Sequence, residues 1–349
     1  MKVAMVVMVG SWCVIGCGGG GGRRDDTDVA VDSDVAVDSD VAVDSDVFAP
    51  EGSAALADCR GMTTPIALHN ALPYAAVAIG QTTGWFLVDW GTTASAIDPA
   101  GFSPRAPTPL AGTSNRWDGF SFFGPWGTVT LWPQDFSAFT EPRQAGILGT
   151  DFLSLNVFVV DWVDGLLARA APGGACPPAT LRAAGFRPLS SAGYFARDLD
   201  DLFADVPNVP TIPLRIGGVE APAQIDTGYD DALVGPAVNI NVAFFEAIPE
   251  SARERAASLD LVLTTCVAGV VEPVEAWRTT AVELIGADGD VVRRETDAVA
   301  FVKRTPEAAR RCGGIGTWSG PAAQLGVSFM ARAGVAIFDP ERSEVWLRP

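Results

Sequence analysis

Two similar segments, far apart in the chain, most strongly constrain how it can fold. The first reads VAIGQTTGWFLVDWGTTAS and the second reads IPLRIGGVEAPAQIDTGYDD. Each has an alternating apolar stretch, a glycine turn and a second apolar stretch that ends in Asp-x-Gly. Nine residues separate Gly80 from Asp89, and nine separate Gly217 from Asp226. Such alternation around a short turn is typical of β-hairpins, so each half is predicted to deliver an aspartate into a tight loop at the end of a hairpin.

A second pair of landmarks follows in the same order. The first half has AGILGTDFLSLNVFVVDW and the second has AAQLGVSFMARAGVAIFD. Gly149 precedes Asp161 by 12 residues, and Gly326 precedes Asp339 by 13. Short strands at close intervals, in a chain with 37 glycines and 25 prolines, predict an all-β unit in each half.

Composition excludes several classes of function. The net charge of -18 argues against binding to nucleic acid, which needs a basic face, and against polybasic attachment to anionic lipid. The one histidine, His69, excludes a multi-histidine metal site, and a serine or cysteine hydrolase would need it as base. Acid–base chemistry is therefore expected to fall to carboxylates.

The motifs themselves resemble a known family. The loop DTGYDD at 226–231 is similar to the active-site loop of the retropepsins, and ILG at 147–149 with DFL at 151–153 is similar to the glycine segment that crosses beneath that loop. Two such units in one chain resemble the bilobal, pepsin-like aspartic peptidases. Over most of the chain beyond residue 52, the resemblance implies two similar β-barrel-like lobes with a cleft between them. It also implies an aspartic endopeptidase that is a monomer, acts on a peptide or protein substrate and needs no cofactor or metal.

Asp89 and Asp226 are the predicted catalytic residues. Two carboxylates held about 3 Å apart cannot both ionise, so they share one proton, and the pair can supply both a base for water and an acid for the carbonyl oxygen. Glycine after each aspartate permits a tight turn that brings an amide N–H to the carboxylate. The residues predicted to support the pair are Gly91, Thr92, Thr227 and Gly228.

Trp90 is the main departure from the family pattern. It stands where the family has threonine or serine, whose hydroxyls form hydrogen bonds between the two loops. A tryptophan cannot make that bond, which leaves a second hypothesis open: a catalytically silent lipoprotein of the same fold that binds peptide or another ligand in the cleft. A third is a structural envelope protein in which the repeats coincide by chance.

The N-terminus is predicted to be a targeting segment. Residues 1–17, MKVAMVVMVGSWCVIGC, have one lysine and then an apolar run of about a dozen residues, too short to span a bilayer. VIGC at 14–17 resembles the bacterial lipobox, which implies cleavage before Cys17 and lipidation of its sulfur. The alternative is an ordinary secretory signal. We expect a protein of the bacterial cell envelope, periplasmic or surface-exposed, held to the membrane by the lipid anchor at Cys17.

A low-complexity segment separates this anchor from the rest. VAVDSD occurs three times between Val29 and Asp46, and such a repeat buries too little apolar surface to fold. Residues 18–52 are therefore predicted to be a disordered linker. Calcium binding by the aspartates is the alternative, but the repeat has neither the glycine turn nor the bidentate glutamate of a calcium loop. The remaining boundaries are predicted at 53–176 for the N-terminal lobe, 177–205 for an inter-lobe linker and 206–349 for the C-terminal lobe.

Four cysteines remain beyond Cys17, and an even number in an exported chain predicts two disulfides. Three pairings are possible. Their positions favour Cys59 with Cys176 and Cys266 with Cys312. A four-cysteine zinc site is the alternative, but the chain has no C-x-x-C knuckle.

Two smaller elements are also predicted. FGPWG at 123–127 is expected at the tip of a hairpin, either a flap over the cleft or an ordinary surface hairpin. Residues 251–258 are expected to form a short surface helix.

Overall fold

A computed structural model of the chain describes residues 5–7, 51–171, 173–191, 209–231, 236–264, 271–296, 298–304 and 314–349. Cys17, the repeat linker and most of the predicted signal peptide lie outside these residues, and so do Cys266 and Cys312. Residues 5–7 form strand β1 (Met5–Val7), which runs parallel to β16 (Arg253–Thr264).

The described chain is all-β and has two lobes, as the sequence predicted. The first half supplies β2 (Met62–His69), β3 (Leu72–Ile79), β4 (Thr82–Val88), β5 (Ala96–Ile97), β6 (Arg116–Ser121), β7 (Pro125–Thr130), β8 (Trp132–Pro133), β9 (Gln144–Leu148), β10 (Phe158–Asp161), β11 (Leu166–Arg169) and β12 (Arg187–Ser190). The second half supplies β13 (Thr211–Ile216), β14 (Val219–Ile225), β15 (Ala237–Asn241), β16, β17 (Val271–Thr279), β18 (Val282–Ile285), β19 (Val291–Glu295), β20 (Val299–Lys303), β21 (Ala323–Leu325), β22 (Val335–Asp339) and β23 (Glu344–Leu347).

Two matching hairpins lead to the predicted aspartates. β3 pairs with β4 across a turn that begins at Gly80, and β13 pairs with β14 across a turn that begins at Gly217. Both glycines have positive φ, +60° and +58°, a backbone conformation that glycine adopts without the penalty of a Cβ. The glycine turns thus fix the register of the strands that end at Asp89 and Asp226.

The duplication seen in the sequence is repeated in the strand pairing. β9 lies parallel to β4, so that Leu148 is opposite Val88, and β21 lies parallel to β14, so that Leu325 is opposite Ile225. A further strand extends each sheet in the same way: β5 pairs antiparallel with β9 in the first lobe, and β15 pairs antiparallel with β21 in the second. The apolar-apolar-glycine segments therefore occupy equivalent places beside the two hairpins.

The last strands of the chain belong to the first sheet. β2–β12 form one sheet with β22 and β23, while β13–β21 form the second sheet with β1. β22 pairs with β10, and β23 pairs with β12. The segment predicted as an inter-lobe linker thus begins with a helix, α2 (Pro178–Ala183), and a strand, β12. β23, near the C-terminal end of the sequence, forms hydrogen bonds with that strand.

The predicted bridge between Cys59 and Cys176 is present, with the two Cα atoms 4.8 Å apart. It joins the turn before β2 to the turn before α2. Both cysteines adjoin an apolar cluster that includes Leu56, Phe186 and Trp346. The bridge therefore fastens the start of the globular region to the packing beneath the C-terminal strands.

Helices are short and few within the described ranges. They are α1 (Thr150–Leu153), α2, α3 (Val242–Ala247) and α4 (Val327–Arg332). The helix predicted over 251–258 was wrong, because that segment is a 3-10 turn followed by β16, whose pairing with β17 prevails over local helix propensity. Among the described residues, no helix has the length and apolar character needed to cross a membrane.

Candidate active site

The two Asp-x-Gly loops contact each other in a buried site. Asp89 and Asp226 are both fully buried, at 0% exposure, and each influences the ionisation of the other. Their backbones are held in the same way, since Asp89 N donates to the Leu148 carbonyl and Asp226 N to the Leu325 carbonyl, both at 2.9 Å. Asp89 and Asp226 thus occupy equivalent places in the two lobes.

The glycines after each aspartate bring the two carboxyls together. Gly228 N lies 3.0 Å from Oδ1 of Asp89 and 3.0 Å from Oδ1 of Asp226, so one amide serves both. Gly91 N donates to Asp89 Oδ1 at 2.7 Å. A Cβ on Gly91 would lie 2.3 Å from the Asp226 carboxyl carbon, and one on Gly228 would lie 2.5 Å from Asp89 Oδ2. Each loop therefore needs glycine for close approach to the aspartate of the other lobe.

Thr227 ties the two loops together through its hydroxyl. Its Oγ1 donates to the Val88 carbonyl at 2.8 Å and accepts from Trp90 N at 3.1 Å. Gln224 adds a further link by donating to the Gly91 carbonyl at 3.0 Å. The second lobe therefore supplies the threonine hydroxyl that, as the resemblance implied, bonds one loop to the other. The first lobe contributes backbone groups only, the Val88 carbonyl and the Trp90 amide.

Trp90 makes an apolar contact in place of the missing hydroxyl. Its ring is 2% exposed, stacks on Phe338 with centroids 3.7 Å apart and meets Phe158 edge-on at 6.1 Å. Phe338 lies on β22, which comes from the C-terminal part of the chain. The large side chain thus fits between segments from the two halves, and such stacking adds to the energy of burial.

An aspartate–serine pair stabilises each loop, with the two residue types exchanged between lobes. In the first lobe, Ser95 N and Oγ donate to Asp151 at 3.0 and 2.6 Å. In the second, Ser328 N and Oγ donate to Asp231 at 2.9 and 2.5 Å. The aspartate belongs to the glycine segment in one lobe and to the active-site loop in the other.

A chain of buried amides reaches Asp226 and was not anticipated from the sequence. Gln324 Nε2 donates to Asp226 Oδ2 at 2.5 Å, and Asn239 Nδ2 donates to Gln324 Oε1 at 2.9 Å. Gln324 occupies the place that Ile147 has in the first lobe. The sequence signal that could have identified Gln324 is that it is polar at a position where the other copy of the motif has an apolar residue.

Burial controls the ionisation of the site. It raises the pKa of Asp89 well above its usual range, with the charge of Asp226 as the next cause. Burial also raises the pKa of Asp226, although hydrogen bonds and the positive charge of Lys303 oppose this rise. Burial raises the pKa of Asp231 to about 7, against the hydrogen bonds from Ser328.

These shifts predict that the protein loses stability as the pH rises. An aspartate whose folded pKa is raised favours the folded state below its unfolded value, near 4, and this advantage disappears as the pH passes its folded pKa. For Asp231 this advantage is lost between about pH 4 and pH 7, and the free energy of unfolding falls by on the order of 4 kcal/mol over that range. Thermal unfolding between pH 4.5 and 8 should show a falling midpoint, and Asp231→Asn should flatten the fall. A midpoint that stays level or rises in the wild type would contradict this prediction.

The predicted hairpin in the first lobe is present. β6 and β7 pair antiparallel, and Trp126 packs on Phe152 of α1 with centroids 5.1 Å apart. The ring of Phe122, at the tip of the hairpin, stacks on the ring of Phe158 with centroids 6.0 Å apart. These contacts place the hairpin against α1 and β10, and its role as a flap stays a prediction.

Most of the predicted site residues therefore lie together. Asp89, Gly91, Asp226, Thr227 and Gly228 form one buried cluster. Thr92 lies just beyond it, and its carbonyl accepts from Thr150 N at 2.9 Å.

No protein-family model matches the chain, and no curated protein matches it significantly. Its function is therefore inferred from the geometry of this cluster.

Proposed function

We propose that the chain is an aspartic endopeptidase of the bilobal, pepsin-like type with retropepsin-like lobes. The observation that carries this proposal is the single amide of Gly228, which lies 3.0 Å from a carboxyl oxygen of each aspartate. Two unrelated loops would not bring their carboxyls to one donor in a fully buried site, since placing two such groups side by side is costly unless they share a proton. This geometry favours a catalytic pair over repeats that coincide by chance.

The proposed chemistry needs only water and the two carboxyls. One carboxylate removes a proton from water as the water oxygen bonds to the carbonyl carbon of the peptide, and the protonated partner gives its proton to the carbonyl oxygen. The tetrahedral intermediate then collapses. Its C–N bond breaks as the nitrogen takes up a proton from one carboxyl, and a hydroxyl of the intermediate returns a proton to the other carboxyl as the product carbonyl forms. A carboxylic acid and an amine leave, and the pair again holds one proton. The Gly91 and Gly228 amides hold the carboxyls in place throughout.

Access to the pair requires movement. Both side chains are fully buried in this structure, so water and peptide reach them only when the surrounding segments separate. Gating of this kind is common among hydrolases that exclude bulk water from the reaction.

A peptide-cleavage assay tests the proposal. The globular region is incubated with a mixed peptide pool between pH 3 and 7, and products are identified by mass spectrometry. We expect internal cleavage that is fastest on the acidic side, where the pair holds one proton. Absence of cleavage across this range would overturn the peptidase and leave the second candidate, a silent relative that binds a ligand. Trp90 favours that candidate, because a buried apolar stack replaces one of the hydroxyls that the resemblance implies.

We further propose that the protein is lipid-anchored in the bacterial envelope through Cys17, on the basis of the VIGC motif. Metabolic labelling with a fatty acid that carries a detectable tag should mark the wild type. Cys17→Ser should lose the label entirely, because the acceptor sulfur is gone. Cys13→Ser is the matched control and should keep it, since that residue precedes the cleavage site. Label retained in Cys17→Ser would contradict the anchor.

A further inference from the structure

Asp226 lies at the end of a directed chain of hydrogen bonds. Tyr229 Oη donates to Asn239 Oδ1 at 3.3 Å, Asn239 Nδ2 donates to Gln324 Oε1 at 2.9 Å, and Gln324 Nε2 donates to Asp226 Oδ2 at 2.5 Å. All four side chains are buried, none more than 3% exposed. Every donor in this chain therefore points toward the carboxylate.

The two amides face the same way in this structure, each with its NH₂ group directed toward Asp226. A carboxylate oxygen only accepts, so the NH₂ group of Gln324 must face Asp226, and its carbonyl must then face the NH₂ of Asn239. A proton on Asp226 Oδ2 that was donated to Gln324 would require both amides to turn over, and the Tyr229 hydroxyl would then have to accept from Asn239 instead of donating to it. The chain is therefore matched to an ionised Asp226.

Asp89 has no such chain. Its Oδ1 accepts from Gly91 N and Gly228 N, while Oδ2 is buried with no hydrogen-bond partner among the described residues. The strand positions equivalent to Asn239 and Gln324 hold Ala96 and Ile147 in the first lobe. Asp89 Oδ2 is thus the one oxygen of the pair that no donor occupies, which makes it the site for a proton.

We infer that Gln324 is a positioning residue that holds the negative charge of the pair on Asp226 and leaves the shared proton on Asp89. Resting on the proposed function, this assigns the roles within it. Asp226 is the base that takes a proton from water, and Asp89 is the acid that protonates the carbonyl oxygen. The strands around the two aspartates are equivalent in the two lobes. The difference in role comes from the side-chain amides of Asn239 and Gln324, whose equivalent positions in the first lobe are apolar.

The surrounding charges act in the same direction. Lys303 lowers the pKa of Asp226, and so does the hydrogen bond from Gln324. Burial and the Asp226 charge raise the pKa of Asp89. The titratable groups that interact electrostatically with the pair, or with the tyrosines beside it, come from β3, the loop after β14, and β20: Tyr74, Tyr229, Asp230, Asp231 and Lys303.

Carbon-13 NMR of the aspartate carboxyls, titrated from pH 3 to 9, tests the inference. In the wild type, Asp226 should lose its proton first, with Asp89→Asn and Asp226→Asn used to assign the signals. In Gln324→Leu the first ionisation should move upward by about one pH unit, a tenfold weakening, because the charge loses its strongest side-chain donor. Gln144→Leu, which removes a buried glutamine of the first lobe that bonds Tyr74 and the Gly146 carbonyl, should leave it unchanged.

A second variant covers the case in which Gln324→Leu does not fold. Tyr229→Phe removes one oxygen and keeps the ring, and it should move the first ionisation upward by a smaller amount. First ionisation at Asp89 in the wild type would overturn the inference. So would a Gln324→Leu or Tyr229→Phe titration identical to that of the wild type.

The NMR result does not depend on peptide cleavage, so the two proposals can fail separately. If the wild type cleaves peptides, the acidic limb of its kcat/KM profile should shift upward in Gln324→Leu by the same amount as the NMR titration. If the wild type cleaves nothing, the peptidase is wrong, and the carboxyl titrations still decide where the charge resides.

Discussion

Asp89→Asn and Asp226→Asn are each expected to abolish peptide hydrolysis, with a loss of at least about 10³-fold in kcat/KM. The two carboxyls share the Gly228 amide as a donor, so removal of either leaves no pair to divide the roles of base and acid. The double variant should be scarcely slower than either single one, because residues that act as a unit are not additive. Cleavage of the same peptide pool by the purified variants gives the measurement.

Folding must be preserved for this result to have meaning. At pH 7 each asparagine removes a carboxyl whose ionisation burial opposes, so the variants should unfold at an equal or higher temperature than the wild type. Asp58→Asn, on an exposed residue, is the control and should retain full activity. A single variant of the pair that keeps more than a tenth of wild-type activity would exclude Asp89 and Asp226 as the catalytic unit.

Gly228→Ala and Gly91→Ala are expected to have the second largest effects. The new Cβ would lie 2.5 Å from Asp89 Oδ2 in one case and 2.3 Å from the Asp226 carboxyl in the other, and neither buried carboxyl can retreat without losing its amide donors. We expect each variant to lose about 1–3 kcal/mol or more of unfolding free energy through overpacking. Hydrolysis should fall by about 10²-fold, because displacement of a catalytic group by 1 Å is enough for such a loss.

Gly320→Ala provides the matched control for the two glycines. No atom lies within 4 Å of a Cβ at that position, and its backbone φ is outside the positive range. Its unfolding free energy should change by no more than about 0.5 kcal/mol. Denaturant unfolding gives the comparison. If Gly228→Ala matched Gly320→Ala, the two loops would have to lie farther apart than this structure places them.

The hairpins and the aspartate loops could be predicted because their signals are local. The glycine at each turn, the alternating strand and the Asp-x-Gly all lie within a dozen residues, and the second copy repeats them in order. Backbone geometry at each step depends on neighbours in the chain. The two-lobe organisation followed from repetition of that local pattern.

Other parts depend on partners that are distant in the sequence. Trp90 looked disruptive as a replacement for a small hydroxyl residue, but its stacking partner, Phe338, lies almost 250 residues further along. The pairing of Arg187–Ser190 with Glu344–Leu347 was hidden for the same reason, and the region around the first of these strands looked like a linker. Gln324 was missed because a single polar residue in an apolar motif has no meaning until its neighbour in space is known.

The placement of β22 and β23 has a consequence for how the protein is made. These strands follow the whole second lobe in the sequence, yet β22 pairs with β10, and Trp346 packs in the same cluster as the Cys59–Cys176 bridge. The sheet of the first lobe is therefore complete only after the second lobe has been synthesised.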